Sequence, residues 1–268
     1  MLFLYIFYNL QFNFIIQIKL TMNKLFTAIL LISVLLISGC YLTKKSESYY
    51  GINTANTKNV LFIIDISGSM EGKAETDAQG KVISKTTEVV GNKVADKIGG
   101  LGGQVVKKAT TNQLTKLGKA KKELIPTIRG LSEGTKFNII IFEDKVKVWG
   151  TKLFEANSTN KGLALAYLEK LESGGGTNIY ESVEKAFQIA GPGAKDGTTA
   201  MVVETIFLLS DGEPTSGAIT NTTEICEKIR SWNPKNRVII HTIGLGEDCD
   251  KEFMKKIASE NGGTFIDK

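Results

Sequence analysis

The chain has 268 residues, 42% hydrophobic and 23% charged, with a formal net charge of +5. These proportions exclude a disordered or fibrous chain. Lys19 and Lys24 are the only formal charges in residues 1–39, so the remainder carries +3, which is not the footprint of a nucleic-acid binder. The first 21 residues are aromatic and Ile-rich, and they precede a second, complete start at Met22. Translation is expected to begin there. Met22-Asn23-Lys24 forms a short basic start, residues 25–37 are apolar, and Ser38-Gly39 are small residues placed for cleavage. The largely apolar stretch 25–39, fifteen residues long, falls short of the ~20 needed to span a bilayer. A transmembrane anchor would also leave Ser38-Gly39-Cys40 unexplained.

Leu36-Ile37-Ser38-Gly39-Cys40 resembles the lipobox of bacterial lipoproteins. The resemblance implies that residues 1–39 are removed and that Cys40 is acylated, by palmitate among other lipids, as the mature N-terminus. It places the protein in a bacterial cell envelope. Tyr41 is not the aspartate that retains some lipoproteins at the inner membrane, which favours the outer one. Residues 40–57 are polar without an apolar period and are expected to form a tether. Residues 58–268 are expected to form the folded body.

Continuous apolar runs at 59–65, 136–142, 202–209 and 237–243 predict strands buried on both faces. Residues 145–149 alternate as an edge strand does, and 264–266 predict a short last strand. Helical periodicity covers 114–131, 161–171, 179–189, 219–232 and 251–261. This alternation indicates an α/β fold, a doubly wound and mostly parallel central sheet flanked by helices. Ligands of such sheets lie at the carboxyl ends of the strands.

Three of those ends carry oxygen donors. Asp65-Ile66-Ser67-Gly68-Ser69 places three donors on alternate residues of an extended segment, so they face one way. Ser173-Gly174-Gly175-Gly176-Thr177 is a glycine-rich turn that delivers another hydroxyl at the start of a helix. Leu208-Leu209-Ser210-Asp211 ends a buried strand in a carboxylate. Two carboxylates and three hydroxyls suit Mg²⁺ or Mn²⁺ and are wrong for zinc or copper. Neutral hydroxyls leave the ion much of its charge, so it can accept a carboxylate from a partner.

Asp65-x-Ser67-x-Ser69, Thr177 and Asp211 resemble the metal-ion-dependent adhesion site (MIDAS) of von Willebrand factor type A (VWA) domains. The likeness extends over 58–268 and includes the run 136–142 and Gly262-Gly263-Thr264-Phe265. It implies a Rossmann-like VWA fold. It also implies that Ser67, Ser69 and Thr177 touch the ion, and that Asp65 and Asp211 act directly or through water. One departure is an insertion, residues 71–112, between the first strand and the first helix. Val90, Val94, Ile98, Leu101 and Val105 follow a helical period there, but Gly99, Gly100, Gly102 and Gly103 interrupt it at about 1 kcal/mol each. The insertion either gates the partner surface or is a surface loop without a special role.

Other residues read as structural. His241 sits inside an apolar strand, and Trp149 and Trp232 read as packing residues. Glu213, beside the metal loop, reads either as an acceptor supporting the metal ligands or as a solvated loop acid, the latter slightly favoured. Ser67 and Ser69 have no Gly-x-Ser-x-Gly frame, and neither a dinucleotide fingerprint nor a Walker A pattern occurs. Cys226 and Cys249 match no zinc spacing and either form a disulfide after export or remain thiols. The expectation is a non-enzymatic envelope lipoprotein that binds a protein partner through a divalent ion completed by the partner's Asp or Glu. No small-molecule substrate is evident. The alternative is an accessory or assembly subunit of a separate envelope enzyme complex.

Overall fold

A computed structural model describes residues 48–54, 57–72, 93, 96, 115–191 and 202–268. The chain divides into two units, residues 1–45 and 46–268. The signal, Cys40 and all but the N-terminal end and two isolated positions of the insertion lie outside the described residues. Among those described, no helix is long and apolar enough to cross a membrane.

The second unit begins with a small hairpin, β1 (Ser48–Tyr49) and β2 (Ile52–Asn53). The expected tether of 40–57 is therefore too long. Tyr49 is fully buried and packs edge-on against Phe62 and Phe207, with ring centroids 5.4 and 5.2 Å away. Two tyrosines in a polar stretch have no period, but each carries enough apolar ring to enter a core.

The sheet then builds outward from β3 (Asn59–Asp65). A single 3₁₀ turn, Gly68–Glu71, follows it, and α1 (Lys116–Gly130) leads to β4 (Lys136–Phe142). Edge strands β5 (Val146–Val148) and β6 (Phe154–Glu155) pair antiparallel to β4. Helices α2 (Ser158–Glu169) and α3 (Ile179–Ala190) precede β7 (Thr205–Ser210). The chain closes with α4 (Thr222–Trp232), β8 (Ile239–Gly244), α5 (Lys251–Glu260) and β9 (Phe265–Asp267). Strand order is β5-β4-β3-β7-β8-β9, and β4-β3-β7-β8-β9 are all parallel. The doubly wound sheet expected from the alternation is present.

Alternate strand residues face opposite layers. Leu61, Ile63, Ile140, Leu208 and Ile240 pack on α3, α4 and α5. Phe62, Ile64, Ile139, Ile141 and Phe207 pack on α1, α2 and the N-terminal hairpin. Each helix starts on a capping side chain, Thr115, Asn157, Asn178, Asn221 or Asp250, which accepts a backbone N–H of the first turn. Asn138, the polar residue within the apolar run of β4, is buried. It donates to the carbonyls of Gly150 and Lys152 at 2.7 and 2.8 Å, pinning the β5–β6 connection.

The expected run 202–209 begins later than predicted. Val202 is 45% exposed, and pairing with β3 starts at Thr205. Glu204 lies just before it, where its backbone N–H bonds Asn59 and its carboxylate accepts the Lys58 N–H at 3.3 Å. The expected strand at 237 likewise begins at Ile239, after a turn in which Asn236 adopts a positive φ of 46°.

Candidate metal centre

The strand order reverses at β3. The chain leaves β3 toward β4 on one side and later returns to place β7 on the other. The carboxyl ends of β3 and β7 therefore flank a crevice, where open α/β sheets bind ligands. Asp65 is the last residue of β3, and Asp211 follows β7 directly.

Four of the five expected ligands meet there in one hydrogen-bonded chain. Ser67 Oγ and Ser69 Oγ are 3.1 Å apart, and Ser69 Oγ donates to Asp211 Oδ1 at 2.8 Å. Asp65 Oδ1 accepts the Ser67 backbone N–H at 2.7 Å, and Oδ2 accepts Ser210 Oγ at 2.5 Å. The fifth, Thr177, lies in the turn between α2 and α3, and its hydroxyl does not join that chain of hydrogen bonds. Its N–H donates to Thr215 Oγ1 at 2.9 Å and its carbonyl accepts the Thr215 N–H at 3.0 Å, which ties it to the loop after Asp211. The glycine-rich turn is laced to the other loops. Gly68 N–H donates to Gly175 O at 2.9 Å, Gly174 N–H to Ile66 O at 2.8 Å, and Gly176 N–H to Asp144 Oδ1 at 3.0 Å.

Asp65, Ser67, Thr177 and Asp211 are buried, whereas Ser69 is exposed, so the centre opens on one side. Burial pushes the Asp65 carboxyl up to about 6, against the hydrogen bonds from Ser210 and Ser67, and the Asp211 charge adds to the rise. Glu213 is exposed, as expected of a solvated acid.

The donor set fits a small hard ion. Octahedral ligands about 2.1 Å from Mg²⁺ stand about 3.0 Å from their cis neighbours. The Ser67–Ser69 and Ser69–Asp211 oxygen separations of 3.1 and 2.8 Å bracket that edge. Among the described residues no three His, Cys, Asp or Glu side chains gather to hold a metal. A metal centre built from these residues would take hydroxyls as ligands beside the two carboxylates.

Two members of the cluster escape the sequence motif. Ser210 holds Asp65, and its only sequence signal is that it adjoins Asp211. Lys116 is the larger omission. It opens α1, its side chain is 6% exposed, and its ammonium lies 2.8 Å from Asp211 Oδ2 and 3.6 Å from Asp248 Oδ2. Burial alone would lower its pKa, but the hydrogen bond and charge of Asp211, with Asp248, raise it overall.

Residues expected to be structural are so. His241 stacks on Phe207 at 5.1 Å and its Nδ1 accepts the Thr264 N–H at 3.0 Å. Trp149 stacks on Phe137, and Trp232 packs against Tyr180 and Phe187. Cys226 and Cys249 are both buried and free, so the disulfide alternative is not what the structure contains. Burial pushes their thiols up to about 11 and about 12, which disfavours the thiolate form at neutral pH.

A family model described as von Willebrand factor type A domain matches residues 108–266, more than half of the chain. The chain belongs to the von Willebrand factor type A family. Asp65, Ser67 and Ser69 lie upstream of the matched span, on the far side of the insertion. The VWA chain is similar to inter-alpha-trypsin inhibitor heavy chain H2 of Homo sapiens, at 28% identity over 207 residues, 77% of this chain and 17% of that protein. It is also similar to heavy chain H4 of Homo sapiens, at 26% over 211 residues, 78% of this chain and 18% of that one. It thus spans less than a fifth of the length of these curated relatives. A solved von Willebrand factor type A structure from Catenulispora acidiphila superposes with a TM-score of 0.54 at 20% identity, covering 81% of this chain and 39% of that one. VWA domains are commonly metal-dependent protein-interaction modules.

Proposed function

We propose that this VWA domain binds a protein partner through Mg²⁺ or Mn²⁺ held by Asp65, Ser67, Ser69, Thr177 and Asp211, with the partner's Asp or Glu completing the ion's shell. The observation that carries this reading is the convergence of Ser67 Oγ, Ser69 Oγ and Asp211 Oδ1, three hard oxygen donors, in one run at the open side of the centre. The exposed position of Ser69 supports an outward-facing coordination position. The ion supplies attraction and orientation. The chain's own residues fix the donors: Ser210 holds Asp65, and the Thr215–Thr177 pairing holds the third loop in place.

A binding role is favoured over catalysis because the sole histidine, His241, already uses Nδ1 to accept the Thr264 N–H. The lipobox-like Leu36-Ile37-Ser38-Gly39-Cys40 supports a lipid-anchored protein of a bacterial envelope, with the outer membrane favoured over the inner by Tyr41.

The test is thermal unfolding of the full chain with Mg²⁺ or EDTA, together with metal-dependent crosslinking to envelope proteins. A ligand at a hundredfold excess over Kd stabilises by about 2.7 kcal/mol. The wild type is expected to melt higher in Mg²⁺, and the Ser67→Ala/Ser69→Ala double variant to show no shift while unfolding cooperatively. Crosslinks that persist in EDTA, or in the double variant, would refute a metal bridge.

A further inference from the structure

Lys116 is built into the metal centre. Its ammonium is 2.8 Å from Asp211 Oδ2, in a pair whose side chains are 6% and 0% exposed. A positive charge at that depth is not a casual surface partner. Its stem passes Gly246, where an added Cβ would lie 2.9 Å from Lys116 Cε and where a φ of 84° favours glycine. Its backbone is fixed too: the Lys116 N–H donates to Gly72 O at 2.9 Å, and the Gly72 N–H donates to Ser69 O at 2.9 Å. The lysine is therefore tied by two successive hydrogen bonds to the serine that faces solvent.

The electrostatic consequence follows from counting charges. With both carboxylates ionised, Asp65, Asp211 and Lys116 together carry one negative charge, where the carboxylates alone would carry two. A divalent ion leaves the cluster with one net positive charge instead of none. Asp248 lies 3.6 Å from the ammonium but is 87% exposed, so water screens most of its contribution. A buried cation beside the ion repels it in a medium where charges interact several times more strongly than in water. It also attracts an anionic ligand to the loaded site.

We propose that Lys116 is a resident counter-ion of the metal centre: it holds Asp211 when no metal is bound, keeps the affinity for the bare divalent ion low, and leaves the loaded site positive toward a carboxylate of the partner. This rests on the reading of the five oxygen donors as a divalent-cation site. Lys116 acts through Asp211 and is a positioning residue.

The experiment is Mn²⁺ titration of the full chain, wild type, Lys116→Met and Lys116→Gln, followed calorimetrically and by the electron paramagnetic resonance of free Mn²⁺. Lys116→Gln removes the charge and keeps an N–H donor on a side chain one atom shorter, so it remains informative if Lys116→Met does not fold without metal. Both variants are expected to bind Mn²⁺ at least about tenfold more tightly than the wild type. A lysine that merely props up α1 predicts the reverse, weaker binding as the site loosens. Equal or weaker binding by the variants, with Mn²⁺ bound by the wild type, overturns the counter-ion role and leaves the site reading standing. No binding by any of the three overturns both. Binding by the variants alone supports the proposal in its strongest form, a site that the lysine closes to the bare ion.

Discussion

Asp65 and Asp211 sit on neighbouring strand ends, yet their surroundings differ. Asp65 is held by neutral donors, Ser210 Oγ and the Ser67 N–H, and burial lifts its carboxyl to about 6. Asp211 has the Lys116 ammonium. The motif that resembles a MIDAS names both carboxylates without distinguishing them, because the distinction comes from residues 95 and 145 positions away. His241 shows the same dependence on surroundings. Burial lowers its pKa, and Nδ1 accepts a backbone N–H, so the folded state favours the neutral ring. A base with a depressed pKa contributes stability that is present above its unfolded value, about 6.5, and lost as the pH falls from there through the folded value. Wild type is therefore expected to lose more stability than His241→Asn between pH 7.5 and pH 5, as read by denaturant midpoints at the two pH values. Equal losses would show that other groups govern that window.

Most elements were legible at the scale of the strand and helix. The apolar runs 59–65 and 136–142 became β3 and β4 at the residues predicted, since a strand buried on both faces needs little beyond its own hydrophobicity. The run at 202–209 misled at its start because Val202 and Val203 are apolar but lie before the first ladder pair. The turn between α5 and β9 shows what local pattern leaves out. Gly263 is one of a pair in a loop, but an added Cβ would run into the backbone carbonyl of Ile240 in β8. Its N–H also closes α5 by donating to Ala258 O at 2.9 Å. Gly263→Ala is expected to cost about 1–3 kcal/mol, the range for overpacking, in equilibrium unfolding of the full chain. An unchanged midpoint would mean that β8 and the turn separate without penalty.

For the whole molecule, the N-terminal boundary is the main revision. The compact unit starts at Ser46 rather than 58, and Tyr49 fills the layer between β3, β7 and α1. Tyr49→Ala is expected to destabilise the fold by about 3–5 kcal/mol, as for other large buried aromatics. A chain starting at Ser46 should keep the midpoint of the full one. An unchanged midpoint for Tyr49→Ala in denaturant unfolding would mean that the hairpin is not part of the cooperative unit.

The sequence alone determined the alternating architecture and the placing of Asp65 and Asp211 at strand ends, because these depend on residues a few places apart, whereas the turn that carries Thr177 follows a helix and not a strand. It also carried the family likeness, which the match over 108–266 supports from the opposite side of the insertion. Only the tertiary structure decided that Lys116 pairs with Asp211, that Ser210 holds Asp65, that Tyr49 belongs to the core and that Cys226 and Cys249 are free thiols within it. Each of these depends on which segments the sheet order brings side by side. Periodicity reports which face of an element is buried, and the partner on that face is chosen by the packing of the whole chain.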